Sequence, residues 1–82
     1  MNDRDKIKKF VLNNFLFTDD PSAVQDGASL IEGGIVDSTG ILELIMFLDE
    51  TLAVRVEDAE MVPANFESID AIVNFVARKR AR

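Results

Sequence analysis

The chain has 82 residues, 48% of them hydrophobic, with six Phe and neither Trp nor Tyr. This length suits one compact domain, residues 1–82, and excludes a catalytic domain joined to a separate substrate domain. Fifteen acidic and nine basic side chains give a formal net charge of −6. Nucleic acids and anionic membranes should therefore repel the chain, whereas basic protein surfaces should attract it.

Cysteine and histidine are both absent, which removes a disulfide framework, the commonest general base and the commonest metal ligand. The acidic residues lack the alternating Asp/Asn pattern and central Gly of a calcium loop, so we predict no metal site. The polar start, from Met1 to Lys6, leads into no long apolar run. We therefore expect no signal peptide and no membrane insertion, and predict a cytoplasmic location.

The first predicted helix runs from Asp3 to about Leu16. Its apolar residues recur at spacings of i, i+3, i+4 and i+8, and its acidic residues come early. The members of this stripe are Ile7, Phe10, Val11 and Phe15. Residues 18–37 contain one Pro and three Gly among short polar residues, which predicts a long loop between the first two helices. A loop of this length inside a small domain is often functional.

The second predicted helix, from Ser38 to Leu52, is apolar nearly all round. We assign its core stripe to Ile41, Ile45, Leu48 and Leu52. The other side combines apolar and acidic residues, and these are Thr39, Leu42, Glu43, Met46, Asp49 and Glu50.

The last third of the chain predicts a loop at residues 54–56, one helical turn at residues 58–61 and a final helix that Ser68 caps. Basic residues at the end of that helix, up to Arg82, complement the negative end of its dipole. They lack interleaved aromatic residues, so we predict no nucleic-acid binding. These patterns together predict an all-α domain of three main helices and one short helix.

The junction between the long loop and the second helix carries the chemistry. The segment Gly33-Gly34-Ile35-Val36-Asp37-Ser38 places a hydroxyl where the first N–H groups of a helix are unpaired and the dipole favours negative charge. A phosphate on Ser38 would suit that position. The alternative is that Asp37 or Ser38 only caps the helix. The two glycines predict a flexible approach to the serine.

The run LIEGGIVDSTGILEL, residues 30–44, resembles the G-I-(I/V)-D-S segment of acyl and peptidyl carrier domains. The resemblance extends over nearly the whole chain and includes Asn65-Phe66-Glu67-Ser68-Ile69, which would open the fourth helix. It implies a small four-helix bundle, and a phosphopantetheinyl transferase that attaches 4'-phosphopantetheine to Ser38. Acyl or aminoacyl groups would then be carried as thioesters, as in fatty acid biosynthesis, by a monomeric chain that catalyses nothing itself.

The same resemblance implies roles for neighbouring residues. Asp37 would help to engage the transferase. The mixed side of the second helix would dock to acyl-loading and acyl-transferring enzymes with basic patches, with Leu42 and Met46 as apolar anchors and the carboxylates meeting cations. Four phenylalanines would be candidate walls for a buried acyl chain, although core packing is their more usual role: Phe10, Phe47, Phe66 and Phe75.

Two departures from the carrier pattern stand out. Thr39-Gly40 replaces a bulky aliphatic residue followed by a polar or small one, and Ala53 stands where many carriers have a helix-ending glycine. Gly40 is also a poor helix former, which predicts a looser first turn. The alternative function is a noncovalent helical adaptor that uses the second helix as its binding face. A hydrolase is excluded because no His exists and no Lys lies near Ser38 in sequence.

Overall fold

The computed structural model describes residues 2–81, which form an all-helical domain with no strand in that range. The four α-helices are α1 (Asp3–Val11), α2 (Ser38–Leu52), α3 (Pro63–Phe66) and α4 (Ile69–Arg80). α4 packs against both α1 and α3. No helix within the described residues is both long and apolar enough to cross a membrane.

The first predicted helix is confirmed, but its last turn has a different geometry. Asn2 caps α1 by accepting the Asp5 N–H at 2.8 Å. After Val11 the chain widens into one π-helical turn, Leu12–Leu16, and ends at Phe17 in the left-handed conformation, with φ of 53°. A π-turn holds one more residue than an α-turn, so it changes the direction of every side chain that follows.

Residues 18–37 form turns that are tied to the rest of the molecule. A short 3₁₀ helix covers Pro21–Ala23. The buried Leu30 donates its N–H to the Glu67 carbonyl at 2.7 Å, and its own carbonyl accepts the N–H groups of Ile35 and Val36 at 2.9 and 3.0 Å. The approach to Ser38 is therefore a hydrogen-bonded turn, and the flexibility that the two glycines predict stays a prediction.

The predicted boundaries of α2 are confirmed, although its core stripe is rotated from the predicted one. Leu48 and Leu52 are buried as expected, whereas Ile41 and Ile45 are only partly buried. The centre of the buried stripe follows Gly40, Leu44 and Leu48, at spacings of four. The difference arises because α2 is apolar on several sides, so periodicity alone does not select which side faces the core.

Ala53 ends α2 in the left-handed conformation, with φ of 56°. The Val54 N–H donates to the Leu48 carbonyl at 2.9 Å, which closes the helix in the manner of a glycine-terminated one. An alanine in this conformation costs roughly 1 kcal/mol relative to glycine. Ala53, in place of the usual glycine, therefore adds a mild local strain, and the helix-ending turn still forms.

The segment between α2 and α4 differs in part from the prediction. The predicted turn is a 3₁₀ helix at Asp58–Glu60, and a separate short helix, α3, follows at Pro63–Phe66. Asn65 and Phe66 therefore belong to α3 and do not open the last helix. Proline at the first helical position was the available signal for α3. The predicted cap of α4 is confirmed, since the Ser68 Oγ accepts the Ala71 N–H at 3.0 Å.

The core is formed by apolar side chains from all four helices and from the turns between them. Ile7, Leu44, Phe66 and Ile72 are among the side chains with no exposed surface. Salt bridges join distant parts of the chain around this core. Arg80 pairs with Asp3 at 3.0 Å, and its guanidinium also donates to the Leu52 carbonyl at 2.7 Å.

The cations at the end of α4 thus have specific partners, beyond the general dipole effect predicted for them. Lys79 pairs with Glu60 at 2.7 Å, and Arg78 donates to the Asn65 side chain at 3.1 Å. These contacts join α4 to the two short helical segments that precede it. Arg82 lies outside the described residues.

Candidate functional site

At the start of α2, Asp37 caps the helix and the neighbouring Ser38 does not. Asp37 is the N-cap: its backbone is extended, and its carboxylate accepts the Gly40 N–H at 2.8 Å. Its carbonyl accepts the Ile41 N–H at 2.9 Å. Of the two capping alternatives in the sequence, the structure selects Asp37. Ser38 is the first residue inside the helix and is not needed as a cap.

Ser38 is exposed, and its hydroxyl has no hydrogen-bond partner within residues 2–81. Its position in the first turn leaves the N–H groups of Ser38 and Thr39 without intrahelical acceptors, since such acceptors would lie four residues earlier. Both N–H groups lie at the positive end of the α2 dipole. The site can therefore present a hydroxyl, and can accommodate negative charge on it.

Gly40 has a packing role that its low helix propensity conceals. A Cβ at this position would lie 3.0 Å from the Phe15 Cε1 and 3.0 Å from the Val36 Cγ1, closer than side chains normally pack. Because glycine lacks that carbon, Phe15 and Val36 can pack directly on the first turn of α2. Gly40 is buried at this close contact, and the looser first turn stays a prediction.

The residues predicted on the mixed side of α2 are all exposed: Thr39, Leu42, Glu43, Met46, Asp49 and Glu50. Leu42 and Met46 keep 56% and 57% of their surface in contact with solvent. Large apolar side chains exposed in this way on one helix are typical of interaction surfaces. Their contact with partner enzymes stays a prediction.

Charge is strongly segregated along the chain. Residues 10–54 contain eight acidic side chains and no Lys or Arg. The acids are Asp19, Asp20, Asp26, Glu32, Asp37, Glu43, Asp49 and Glu50. This segment includes the whole of α2, on which Glu43, Asp49 and Glu50 are exposed, so the helix that begins at Ser38 favours approach by a positively charged partner.

Phe17 is a candidate site residue that sequence reasoning missed. It is 84% exposed and lines an open depression of about 420 Å³ together with Asp37, Thr39, Gly40 and Glu43. The available signal was its position outside the apolar stripe of the first helix. The sequence did not show the π-turn after α1. At the end of this turn, Phe17 lies beside the start of α2.

The four phenylalanines considered as walls for an acyl chain fall into two pairs. Phe66 and Phe75 are buried in the core, with ring centroids 5.6 Å apart. Phe10 and Phe47 are partly buried and stack at 4.3 Å. Phe10 and Phe47 line shallow grooves on the surface between α1 and α2. The two pairs thus lie at different depths.

No group of three or more potential metal-ligating side chains occurs in the described part of the chain. The clearest ionic cluster includes no residue of α2: Lys8 and Arg4 contact Asp26 at 2.7 and 2.8 Å. Hydrogen bonding from the Lys8 ammonium, reinforced by Arg4, holds the pKa of the Asp26 carboxyl below its usual range. This cluster braces α1 against residue 26 and the start of α4.

The sequence was also compared with known proteins. A scan against models of protein families finds no match, and a search of curated proteins finds no similar sequence.

Proposed function

We propose that the chain is an acyl carrier protein that is modified on Ser38 with 4'-phosphopantetheine. In this role it holds acyl or aminoacyl intermediates as thioesters and presents them to partner enzymes. The chain acts as a substrate shuttle and supplies no catalytic group of its own. Its four helices would be arranged as the small bundle of that family, with residues 18–37 as the long connection, and the protein would act as a monomer in the cytoplasm.

The observation that carries this proposal is the arrangement at the start of α2. Asp37 satisfies the Gly40 N–H, so the neighbouring Ser38 hydroxyl is left exposed and unpartnered. A serine that caps a helix uses its oxygen to accept an N–H of the first turn, as Ser68 does at α4, whereas Ser38 does not cap α2. The free hydroxyl suits a residue that must enter the active site of another enzyme.

The residues present fit a phosphodiester on Ser38. The Asp37 carboxylate is directed to the Gly40 N–H at 2.8 Å, which leaves the Ser38 and Thr39 N–H groups and the helix dipole to stabilise a phosphate. When bound, phosphopantetheine supplies a terminal thiol on which acyl groups are carried as thioesters. The absence of cysteine means that no protein thiol competes for the acyl group.

The exposed side of α2 supports the partner part of the proposal. Leu42 and Met46 offer apolar contacts, and Glu43, Asp49 and Glu50 surround them with negative charge. Charge matching of this kind speeds encounter more than it tightens the complex. Such weak, salt-sensitive docking suits a carrier that must visit several enzymes and leave each one.

The proposal is tested by intact mass before and after incubation with coenzyme A, magnesium and a broad-specificity phosphopantetheinyl transferase. We expect the wild-type chain to gain one phosphopantetheine and Ser38→Ala to gain none. Ser22 is also exposed and remains present in the variant, so it controls for modification of any accessible serine. No mass gain by folded wild-type protein would contradict the proposal and favour the noncovalent adaptor, whose partner binding Ser38→Ala would leave unchanged.

A further inference from the structure

Phe17 has a conformation and an exposure that the fold does not explain. It is the most exposed large apolar side chain among the described residues, at 84%, and its φ is 53°. The left-handed conformation costs a residue with a Cβ roughly 1–2 kcal/mol, and Asn or Gly would adopt it more readily. An exposed ring contributes little to the core in return. Its presence is better explained by contact with another molecule.

The backbone that carries this ring is fixed by nearby contacts. The Phe17 N–H and the Thr18 N–H both donate to the Leu12 carbonyl, the latter at 3.1 Å. Two residues earlier, Phe15 packs against Gly40 in the first turn of α2. The π-turn between these contacts therefore holds the base of Phe17 in place beside the start of α2.

Phe17 shares a surface depression with the residues on either side of Ser38. The depression of about 420 Å³ that it lines also includes Asp37 and Thr39, the residues on either side of the serine. Glu43 lines the same depression, and residues 10–54 contain no basic side chain. The complementary partner surface is therefore an apolar pocket surrounded by Lys or Arg.

We propose that Phe17 is the apolar anchor through which the phosphopantetheinyl transferase docks on this chain, with the ring entering an apolar pocket of a basic face of the enzyme. The inference rests on the proposed function and extends the docking surface from α2 to the π-turn that follows α1. An aromatic side chain that is buried at the centre of an interface commonly dominates its binding energy. Phe17 would be a docking residue, with no part in the transfer itself.

The test measures initial rates of modification by the transferase over a range of carrier concentrations. Phe17→Asn and Phe17→Gly remove the ring but tolerate the left-handed backbone, and circular dichroism verifies that each remains folded. We expect both to raise the KM for the carrier about tenfold, with kcat little changed. Phe17→Tyr keeps the ring and should restore a KM close to that of the wild type.

Val62→Ser is the matched control, because Val62 is also an exposed apolar side chain, at 42%, but does not line the depression. It should leave the KM unchanged. Wild-type kinetics in folded Phe17→Asn or Phe17→Gly would overturn the inference while leaving the proposed function intact. Lack of modification of the wild-type chain would instead overturn the proposed function, and the inference with it.

Discussion

The starts of α2 and α4 use the same capping geometry but assign their serines differently. At α4, Ser68 is the N-cap, is nearly buried, and accepts the Ala71 N–H at 3.0 Å. At α2, Asp37 accepts the Gly40 N–H at 2.8 Å, and the serine follows one residue later, exposed and unpartnered. The comparison shows that transferring the cap to an aspartate leaves a serine hydroxyl available for chemistry.

The third helical positions show a second difference. Both donate their N–H to the cap, but α4 has Ala71 there and α2 has Gly40. Gly40 is buried against Phe15 and Val36, so a methyl group does not fit without displacement. The start of α2 is thus built around a close contact with the π-turn before the long connection and with the end of that connection, and this contact positions the surface around Ser38.

The largest expected effect comes from removing the negative charge of Asp37 while keeping the side-chain oxygen that caps α2. Asp37→Asn keeps an oxygen that can accept the Gly40 N–H, so stability should change little, while loss of the carboxylate should lower kcat/KM for transferase modification about tenfold. Asp37→Ala should show the same kinetic loss and also lower the free energy of unfolding by about 1 kcal/mol. Urea denaturation and modification rates measure the two effects.

The matched control is Asp49→Asn, which removes an exposed acid from the same helix without touching the cap. We expect it to reduce the rate of modification less than Asp37→Asn does. Equal effects of the two substitutions would indicate that only the overall charge of α2 matters, contrary to a specific role for Asp37.

The next largest effect concerns stability at the third helical position, where α2 has Gly40 and α4 has Ala71. Gly40→Ala should destabilise the protein by roughly 1 kcal/mol, because overpacking costs about 1–3 kcal/mol and exceeds the gain of up to about 1 kcal/mol in helix propensity. Ala71→Gly should also destabilise by about 1 kcal/mol, but for loss of propensity alone. Stabilisation by Gly40→Ala in urea denaturation would show that the close contact with Phe15 and Val36 relaxes freely.

The smallest effect concerns acid stability, which should distinguish the two helix starts. α4 is braced through Arg4, which contacts both Asp26 and Asp70, and through the Asp26 carbonyl, which accepts the Asp70 N–H at 3.0 Å. Hydrogen bonding from Lys8 lowers the pKa of Asp26 in the folded chain. Its contribution to stability is therefore full above the unfolded pKa of about 3.9 and is lost as the pH falls through the lower folded value.

Asp26→Asn tests this expectation by urea denaturation at several pH values. The difference in unfolding free energy between wild type and variant should be constant near neutral pH and should shrink below about pH 4. A difference that persists unchanged in acid would show that the ionised Asp26 carboxylate does not stabilise the fold.

Much of the fold follows from local sequence signals. Apolar periodicity located the first helix and both ends of α2, and Ser68 was identified as the cap of α4 because its side chain can accept the N–H three residues later. Short elements were harder to predict. α3 has four residues, too few for a periodic pattern, and only Pro63 marked its start.

The candidate site was predictable where it depends on neighbouring residues, and not where it depends on packing. The order Asp37-Ser38 before an apolar helix was visible in the sequence. The role of Gly40 was not, because its reason is the proximity of Phe15, twenty-five residues earlier. Phe17 was missed for the same reason. The preceding π-turn holds one extra residue, and this changes which part of the surface the Phe17 side chain lies on.

The measurement that tests the central claim most directly is the intact mass of wild type, Ser38→Ala and Ser68→Ala after incubation with coenzyme A and transferase, with urea denaturation of each. The account predicts one added phosphopantetheine on wild type and Ser68→Ala and none on Ser38→Ala. Stability should show the reverse pattern, with a loss of about 1 kcal/mol only in Ser68→Ala. A modified Ser38→Ala chain, or an unmodified folded wild type, would contradict the assignment of the free serine at α2 as the carrier site.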